Sequence, residues 1–239
     1  MKSRNVVTIC ARSGSKGVKR KNLLILGEQT LLEHSICQAL ECFDRKEIYF
    51  SSDSQQYIDI AAGYGVNTLI RGDDLSDDSV GKIDVIKDII IRSDIPNDRD
   101  IKIIDIDVSA PLRRKYDIQQ CMKLSTSHEG VITGVLARKN PYYNIVECPA
   151  GYPQVVKSRT LFKTRQSCPE VFDMNASIYV WSKELLFSDQ PFFSESTVLH
   201  EMPDFTSFDI DEEVDVHVVQ ALFNRYSAEL GFKYLGGSI

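Results

Sequence analysis

Residues Asn5 to Asn22 read NVVTICARSGSKGVKRKN, and this stretch decides the fold. Asn5 to Cys10 form a short run rich in β-formers, which is the composition of a strand. The run ends in a loop of Gly, Ser and Lys. A strand that hands over to such a loop opens an α/β sheet, where ligands bind beyond the carboxyl ends of the strands. Gly14 and Gly17 let the backbone approach a phosphate closely, and successive N–H groups in such a loop can form an anion nest. Arg12, Lys16, Lys19, Arg20 and Lys21 crowd residues 12 to 21 with no acid among them. The loop is not a P-loop, since no G-K-[ST] follows at the required spacing, and Arg12, Gly14 and Gly17 do not fit G-x-G-x-x-G. A solvated basic loop is the plain alternative. Position, glycines and cations together favour phosphate binding, with Arg12, Lys16 and Lys21 neutralising a triphosphate.

Outward from this loop, strand-like and helix-like patterns alternate. Thr30 to Glu41 has helical spacing of Leu31, Leu32, Ile36 and Leu40, with Thr30 placed as N-cap and Glu33 three residues on. Glu47 to Ser51 reads as a strand, Gln55 to Tyr64 as a helix closed by Gly65, and Thr68 to Ile70 as a short strand. Lys82 to Arg92 is helical, Ile101 to Ile106 a buried strand, Tyr116 to Leu124 a helix and Gly130 to Leu136 a strand. This alternation predicts an α/β fold with a mostly parallel sheet covered on both faces. After Ala137 the pattern loosens, with Pro141, Pro149, Pro153 and Pro169 dividing short pieces. Ser177 to Trp181 is a strand and Asp211 to Tyr226 a closing helix with acids in its first turn. The expected organisation is one domain over residues 1–239, with a less regular excursion at about 138–207.

The bulk numbers narrow the function. A chain of 239 residues, 43% hydrophobic and 26% charged, has the composition and length of an ordinary globular protein with a sizeable core. A net charge of −6 argues against nucleic acid as a partner, and a basic island inside an acidic chain suggests a small anionic ligand. The six cysteines form no C-x-x-C pair, so neither a zinc ribbon nor a thioredoxin-type site is expected. Free thiols and the absence of any apolar run near 20 residues point to a cytoplasmic protein without a membrane span.

Three further stretches carry candidate chemistry. In FDIDEEVD, Phe208 to Asp215, the carboxylates of Asp209 and Asp211 alternate and can face one cation; Mg²⁺ takes one or two carboxylates with phosphate oxygens and water. The competing reading makes Asp211 a helix N-cap. In IDIDVSAPLR, Ile104 to Arg113, a buried strand carries Asp105 and Asp107, and Asp107 can reach a metal or a sugar hydroxyl. In TRQSCPEVFDMNASIYVW, Thr164 to Trp181, Arg165 can hold a carboxylate, although a surface arginine and a core Tyr179 are equally ordinary readings.

Together these motifs resemble the cytidylyltransferase family that makes CMP-sialic acid and related CMP-sugars. The family loop runs A-R-x-x-S-K-G-x-x-x-K-N, and Ala11, Arg12, Ser15, Lys16, Gly17, Lys21 and Asn22 match it. Ser51-Ser52-Asp53, Arg71, Pro111-Leu112-Arg113, Arg165-Gln166, Asn175, Ile178-Tyr179, Phe192-Phe193 and Asp209-Ile210-Asp211 extend the resemblance from Val6 to about Asn224. The fold it implies is a Rossmann-like, GT-A-like nucleotidyltransferase sheet with a small dimerisation excursion. The activity it implies joins an acidic nine-carbon sugar to CMP from CTP, with release of pyrophosphate and with Mg²⁺ as cofactor.

The resemblance also assigns roles. Arg12, Lys21 and Asp211 form the catalytic set. Ala11, Arg12, Ser15, Lys16, Lys21, Asn22 and Arg71 bind the nucleotide, and Asp209 and Asp211 hold the metal. Asp107, Arg165, Asn175, Tyr179, Phe192 and Phe193 surround the sugar, the two phenylalanines reaching the pocket of a homodimer partner. The chain departs from the family where Asp107 replaces the usual glutamine and Asp173 a frequent arginine. The stretches RKNPYYN, Arg138 to Asn144, and FDMNASIYVW are similar to the branch serving legionaminic-type sugars, part of which uses GTP. A GTP-using guanylyltransferase, a Kdo cytidylyltransferase and a non-catalytic nucleotide-binding regulator remain as alternatives. Retention of Lys21 with both Asp209 and Asp211 speaks against the last.

Overall fold

The computed structural model describes residues 4–14, 17–75, 77, 80–93, 95, 101–149, 151–157, 162 and 164–233. In chain order the elements are β1 (Arg4–Ala11), β2 (Ile25–Leu26), β3 (Gln29–Thr30), α1 (Leu31–Leu40), β4 (Ile48–Ser52), α2 (Gln55–Gly63), β5 (Asn67–Ile70), α3 (Lys82–Arg92), β6 (Ile101–Ile106), α4 (Lys115–Leu124), β7 (Gly130–Leu136), β8 (Val146–Glu147), β9 (Gln154–Val155), β10 (Phe172–Ser182), α5 (Lys183–Leu186), β11 (Thr197–Glu201) and α6 (Glu213–Tyr226). Seven strands form one sheet in the order β11-β7-β10-β6-β1-β4-β5.

The pairings β6–β1, β1–β4, β4–β5 and β11–β7 are parallel, which confirms the mostly parallel sheet read from the alternation. One strand departs from it. β10 runs antiparallel to both of its neighbours, β6 and β7. It also breaks register between Met174 and Tyr179, where Ala176 adopts a left-handed φ of 49°. A non-glycine residue there carries about 1–2 kcal/mol of strain, so the surrounding contacts must hold it.

Helices cover both faces. Side chains of one parity on β1 (Val7, Ile9, Ala11) join a core with residues of α1, α2, α4 and α6. The other face of the same strand, Val6 with Cys10 against it, joins Ile86 and Ile90 of α3 and Leu185 and Leu186 of α5. The central strand β6 is buried almost throughout, as a strand covered on both faces must be.

β10 and β11, inside residues 138–207, are members of the central sheet. In the same stretch β8 and β9 form a separate two-stranded ribbon.

Local signals explain several boundaries. The Thr30 hydroxyl accepts the Glu33 N–H at 3.2 Å, while the Glu33 carboxylate accepts the Thr30 N–H at 2.9 Å. This reciprocal box starts α1, whose buried face includes Leu31, Leu32, Ile36 and Ala39. Gly65, at φ 73°, supplies the left-handed residue just past α2. Thr30→Ala is expected to cost about 1 kcal/mol of stability by urea titration, with the folded far-UV spectrum unchanged. A loss below about 0.3 kcal/mol would show that burial of α1 alone fixes its start.

Candidate active site

The strands β1, β4, β5 and β6 deliver their carboxyl ends to one side of the sheet. A cavity of about 530 Å³ opens there. Ala11, Arg12, Lys21, Asn22, Arg71, Lys82, Asp107, Ser109 and Asp211 are among the residues that line it. Open α/β sheets place ligands at this edge.

The basic loop is fastened at both ends. The Ser13 N–H and hydroxyl donate to the Asp53 carboxylate at 2.7 and 2.9 Å, just past β4. Arg71 donates from Nη2 to the Ala11 carbonyl at 2.7 Å, and Asn22 donates from Nδ2 to the Arg12 carbonyl at 3.0 Å. Arg20, at φ 53°, turns the chain into a single 3-10 turn over Lys21–Leu23. That turn directs Lys21 inward, leaving its side chain only 17% exposed. Gly17 passes so close to the segment before α6 that a Cβ there would lie 1.9 Å from the Asp211 carbonyl oxygen. Glycine is required by contact here, not by a turn.

Asp211 does not cap α6. The Asp215 carboxylate accepts the N–H groups of both Asp211 and Glu212, at 2.9 and 2.7 Å, and so takes over the helix start. The Asp211 side chain is thereby released toward the cavity, where its carboxylate lies 3.0 Å from Lys21 Nζ. Asp209 is held above the ordinary carboxylate range by burial and then by the charge of Asp211. Among the described residues no group of three or more His, Cys, Asp or Glu is placed to hold a metal.

The other wall comes from β6 and the turn after it. Asp107 accepts the N–H and the hydroxyl of Ser109 on Oδ1, both at 2.6 Å. Lys82, the first residue of α3, places Nζ 2.5 Å from Asp107 Oδ2 and 2.5 Å from Asp105 Oδ2. Asp105 is fully buried and also accepts the Thr8 hydroxyl at 2.9 Å. Burial pushes the Asp107 carboxyl up, but Lys82 and Ser109 outweigh it and hold it well below its ordinary range. Burial pulls Lys82 down, and the two carboxylates more than reverse that. Cys10, beside them, is pushed up to about 12 by burial and by the Asp105 charge, so its thiol is no nucleophile.

Seven of the residues expected at the site therefore share the cavity: Ala11, Arg12, Lys21, Asn22, Arg71, Asp107 and Asp211. Asp209 is not among the residues that line it. Ser15 and Lys16 lie outside the described residues. The remaining sugar candidates are not brought to this chain's own cavity. Arg165 is exposed and donates to the Arg138 carbonyl at 2.9 Å. Asn175 is buried, accepting the Thr133 hydroxyl at 2.7 Å and donating toward Thr206. Tyr179 packs within the second core against Trp181 and Phe192, at ring separations of 5.3 and 5.2 Å. Phe193, by contrast, is 62% exposed. The residue that sequence reasoning missed is Lys82, because a lysine opening a helical pattern looks like a solvent-facing first turn.

One atom asks for a ligand. Arg71 is buried at the cavity wall, yet its Nε finds no hydrogen-bond partner among the described residues. A buried guanidinium N–H left unpaired is costly, so a bound acceptor would stabilise it.

A sequence model of the cytidylyltransferase family matches residues 6–228. The chain belongs to that family. A CMP-N,N'-diacetyllegionaminic acid synthase of Campylobacter jejuni is 38% identical over 91% of this cytidylyltransferase and 94% of its own length. A post-translational flagellin modification protein B of Campylobacter coli is likewise 38% identical, over 91% and 94%. An N-acylneuraminate cytidylyltransferase of Streptococcus agalactiae is 30% identical over 93% of this chain and 54% of its own. Among solved structures, a CMP:2-keto-3-deoxy-manno-octonic acid synthetase complexed with CTP superposes with a TM-score of 0.63 at 15% identity, covering 93% of this chain and 99% of that one. At that identity the likeness establishes the fold, a nucleotidyltransferase sheet.

Gly17→Ala tests the contact between the basic loop and the Asp211 segment. The added methyl has a backbone carbonyl in its place, so the loop must move and Lys21 with it. Nucleoside triphosphate affinity by calorimetry is expected to fall about tenfold or more, roughly 1.4 kcal/mol, with circular dichroism unchanged. Affinity equal to wild type would mean that loop and segment are not mutually positioned.

Proposed function

We propose that this cytidylyltransferase couples an acidic nine-carbon sugar of the nonulosonic type to CMP, taking CTP and releasing pyrophosphate. The observation that carries the reading is the closure of a cationic glycine loop onto Asp211 at the sheet edge, with a ligand-seeking Arg71 beside it. The names of the Campylobacter jejuni and Streptococcus relatives, for diacetyllegionaminic and N-acylneuraminic acids, supply the sugar class. Identity of 38% with the former favours the legionaminic side.

In this reaction the anomeric hydroxyl of the sugar attacks the α-phosphorus and pyrophosphate departs in line. The protein's tasks are alignment and charge neutralisation. Arg12 and Lys21 stabilise the growing negative charge on the phosphates, and Asn22 and Arg71 face the nucleoside. Asp107 faces the sugar. Asp209 and Asp211 would hold Mg²⁺, which takes two carboxylates with phosphate oxygens and adds positive charge to the triphosphate. Lys21 pairs with Asp211 and so couples the loop to that carboxylate set.

The sugar candidates outside the cavity fit a homodimer. Phe193 is exposed, as are Leu136, Phe172, Met174 and Val146 in and around the excursion. An apolar surface of this kind is expected to be covered by a second copy, whose Phe192-Phe193 segment would close the sugar pocket. We place the reaction in the cytoplasm, where CTP is made; the six cysteines are all free, and no described helix is long and apolar enough to cross a membrane.

Pyrophosphate release should be measured with Mg²⁺ across CTP, GTP, UTP and ATP against N-acetylneuraminic, legionaminic, pseudaminic and Kdo acids. Turnover is expected with CTP and a legionaminic-type acid. A preference for GTP would make the chain a guanylyltransferase, and a blank grid with measurable nucleotide binding would favour a regulatory protein. Asp211→Ala is expected to reduce turnover by about 10³-fold or more without loss of folded signal. Phe193→Ser is expected to weaken the dimer in sedimentation velocity while leaving CTP affinity intact; an unchanged dimer would remove Phe193 from the interface.

A further inference from the structure

Lys82 has no role in the reading above, although it lines the cavity and makes the shortest ion pairs of the site. Two functions can be excluded by charge. The Lys82 ammonium lies 2.5 Å from both the Asp105 and the Asp107 carboxyl oxygens, so its charge is already matched within the trio and is not offered to a phosphate. The phosphate-facing cations are Arg12 and Lys21. Nor is Asp107 suited to take a proton, since a carboxylate so well stabilised as an anion is a weak base.

What remains is hydrogen-bond geometry. A carboxylate offers about four lone-pair sites. Asp107 uses two on Oδ1 for Ser109 and one on Oδ2 for Lys82. One site on Oδ2 is left, on a side chain 20% exposed to the cavity. We propose that Lys82 is a positioning residue for sugar recognition: bridging Asp105 and Asp107, it turns the Asp107 carboxylate toward the cavity, where its last lone pair accepts a hydrogen bond from a hydroxyl of the acidic sugar. This rests on the sugar-activating function proposed above.

The surroundings fix the expected pH behaviour. Facing Asp107 are Cys10 from β1, Lys82 from α3, Asp105 on its own strand, Tyr179 from β10 and Asp209 from the segment before α6. Arg113, from the turn after β6, is also a cation here but donates to the Asp107 backbone carbonyl; the cation on the carboxylate itself is Lys82. Without it, burial and the neighbouring acids raise the Asp107 pKa above its present value, and the acceptor is lost to protonation as pH falls.

The test is steady-state kinetics with CTP and the preferred sugar varied separately, from about pH 6 to about pH 9. For Lys82→Gln the sugar KM is expected to rise about tenfold or more while the CTP KM stays within about twofold, and the sugar KM should climb further as pH falls. Lys82→Arg should return the sugar KM to near wild type with a flat profile. Equal rises in both KM values, a flat pH profile in Lys82→Gln, or an unchanged sugar KM would each overturn the proposal. Lys82→Gln leaves two buried carboxylates without a cation and can fail to fold. The double variant Lys82→Gln/Asp105→Asn removes the fully buried carboxyl together with its cation and carries the same expectations. If that variant also fails to fold, Lys82 is a folding determinant and the positioning role is overturned. Absence of wild-type turnover across the nucleotide and sugar grid would instead strike the activation reading itself, before any variant is made.

Discussion

The guanidinium of Arg113 is the point from which the site hangs. It is fully buried and donates from Nε to the Ser177 hydroxyl at 3.1 Å, from Nη1 to Gln38 Oε1 at 2.8 Å, and from Nη2 to the carbonyls of Ala110, at 2.6 Å, and Asp107. Taking a permanent charge out of water costs several kcal/mol unless its donors are satisfied, so the three elements supplying these acceptors cannot drift apart cheaply. Those elements are α1, the turn after β6 and the bulged part of β10. The turn in its position presents Asp107 and Ser109, and the Ser109 carbonyl accepts the Ile210 N–H at 2.9 Å. Ile210 stands between Asp209 and Asp211. The carboxylate segment, the glycine loop packed on it and the Asp107 wall are therefore all referred to one buried cation.

From this frame follows a division of charge within the cavity. Arg12 and Lys21 come from the loop after β1, while the paired trio of Lys82, Asp105 and Asp107 comes from α3, β6 and the turn after it. The reactants proposed for this chain are both anions, and each would have to be admitted without being mispositioned by the cations meant for the other. In the proposed reaction the triphosphate would lie on the loop side, away from Asp107, whose carboxylate is held as an anion. Neutral hydrogen-bonding groups are then the natural occupants of the Asp107 side. Effective attractions at such separations are of order a few kcal/mol, large enough to orient a flexible triphosphate.

Much of this was legible in the sequence. Cations and glycines on a strand-to-loop junction have few other uses, so Arg12, Gly17 and Lys21 stood out before any geometry was known. Ile101–Ile106 and Gly130–Leu136 have the bounds read from their apolar runs, because buried strands show continuous hydrophobicity. The antiparallel course of β10 was hidden, since strand periodicity says nothing about direction. Its first half was missed as well: Ala176 interrupts the alternation with a left-handed residue, and Phe172 to Met174 are exposed. β11 escaped notice because TVLHE is an edge strand, half-buried and without a clear period. The N-cap reading of Asp211 failed on a competition that spacing cannot resolve, as Asp215 can reach the same N–H groups from one turn further on. Lys82 was invisible because its two partners lie 23 and 25 residues away, on another element.

β10 links the two halves of the problem. Its bulge sends Ser177 to Arg113 and lets Asn175 fold back onto Thr133 of β7. Beyond the bulge it pairs with β6, Tyr179 standing opposite Asp105. The strained Ala176 is thus bracketed by two buried hydrogen-bonding residues that keep it in place, one serving the Arg113 frame and the other the β7 edge. Sequence changes in β10 would therefore act on the Asp107 wall of the cavity through Arg113 and β6, without any β10 side chain lining it. For a family whose members differ in their acidic sugars, that arrangement allows the acceptor side to vary while the phosphate loop, referred to β1 and Asp53, stays as it is.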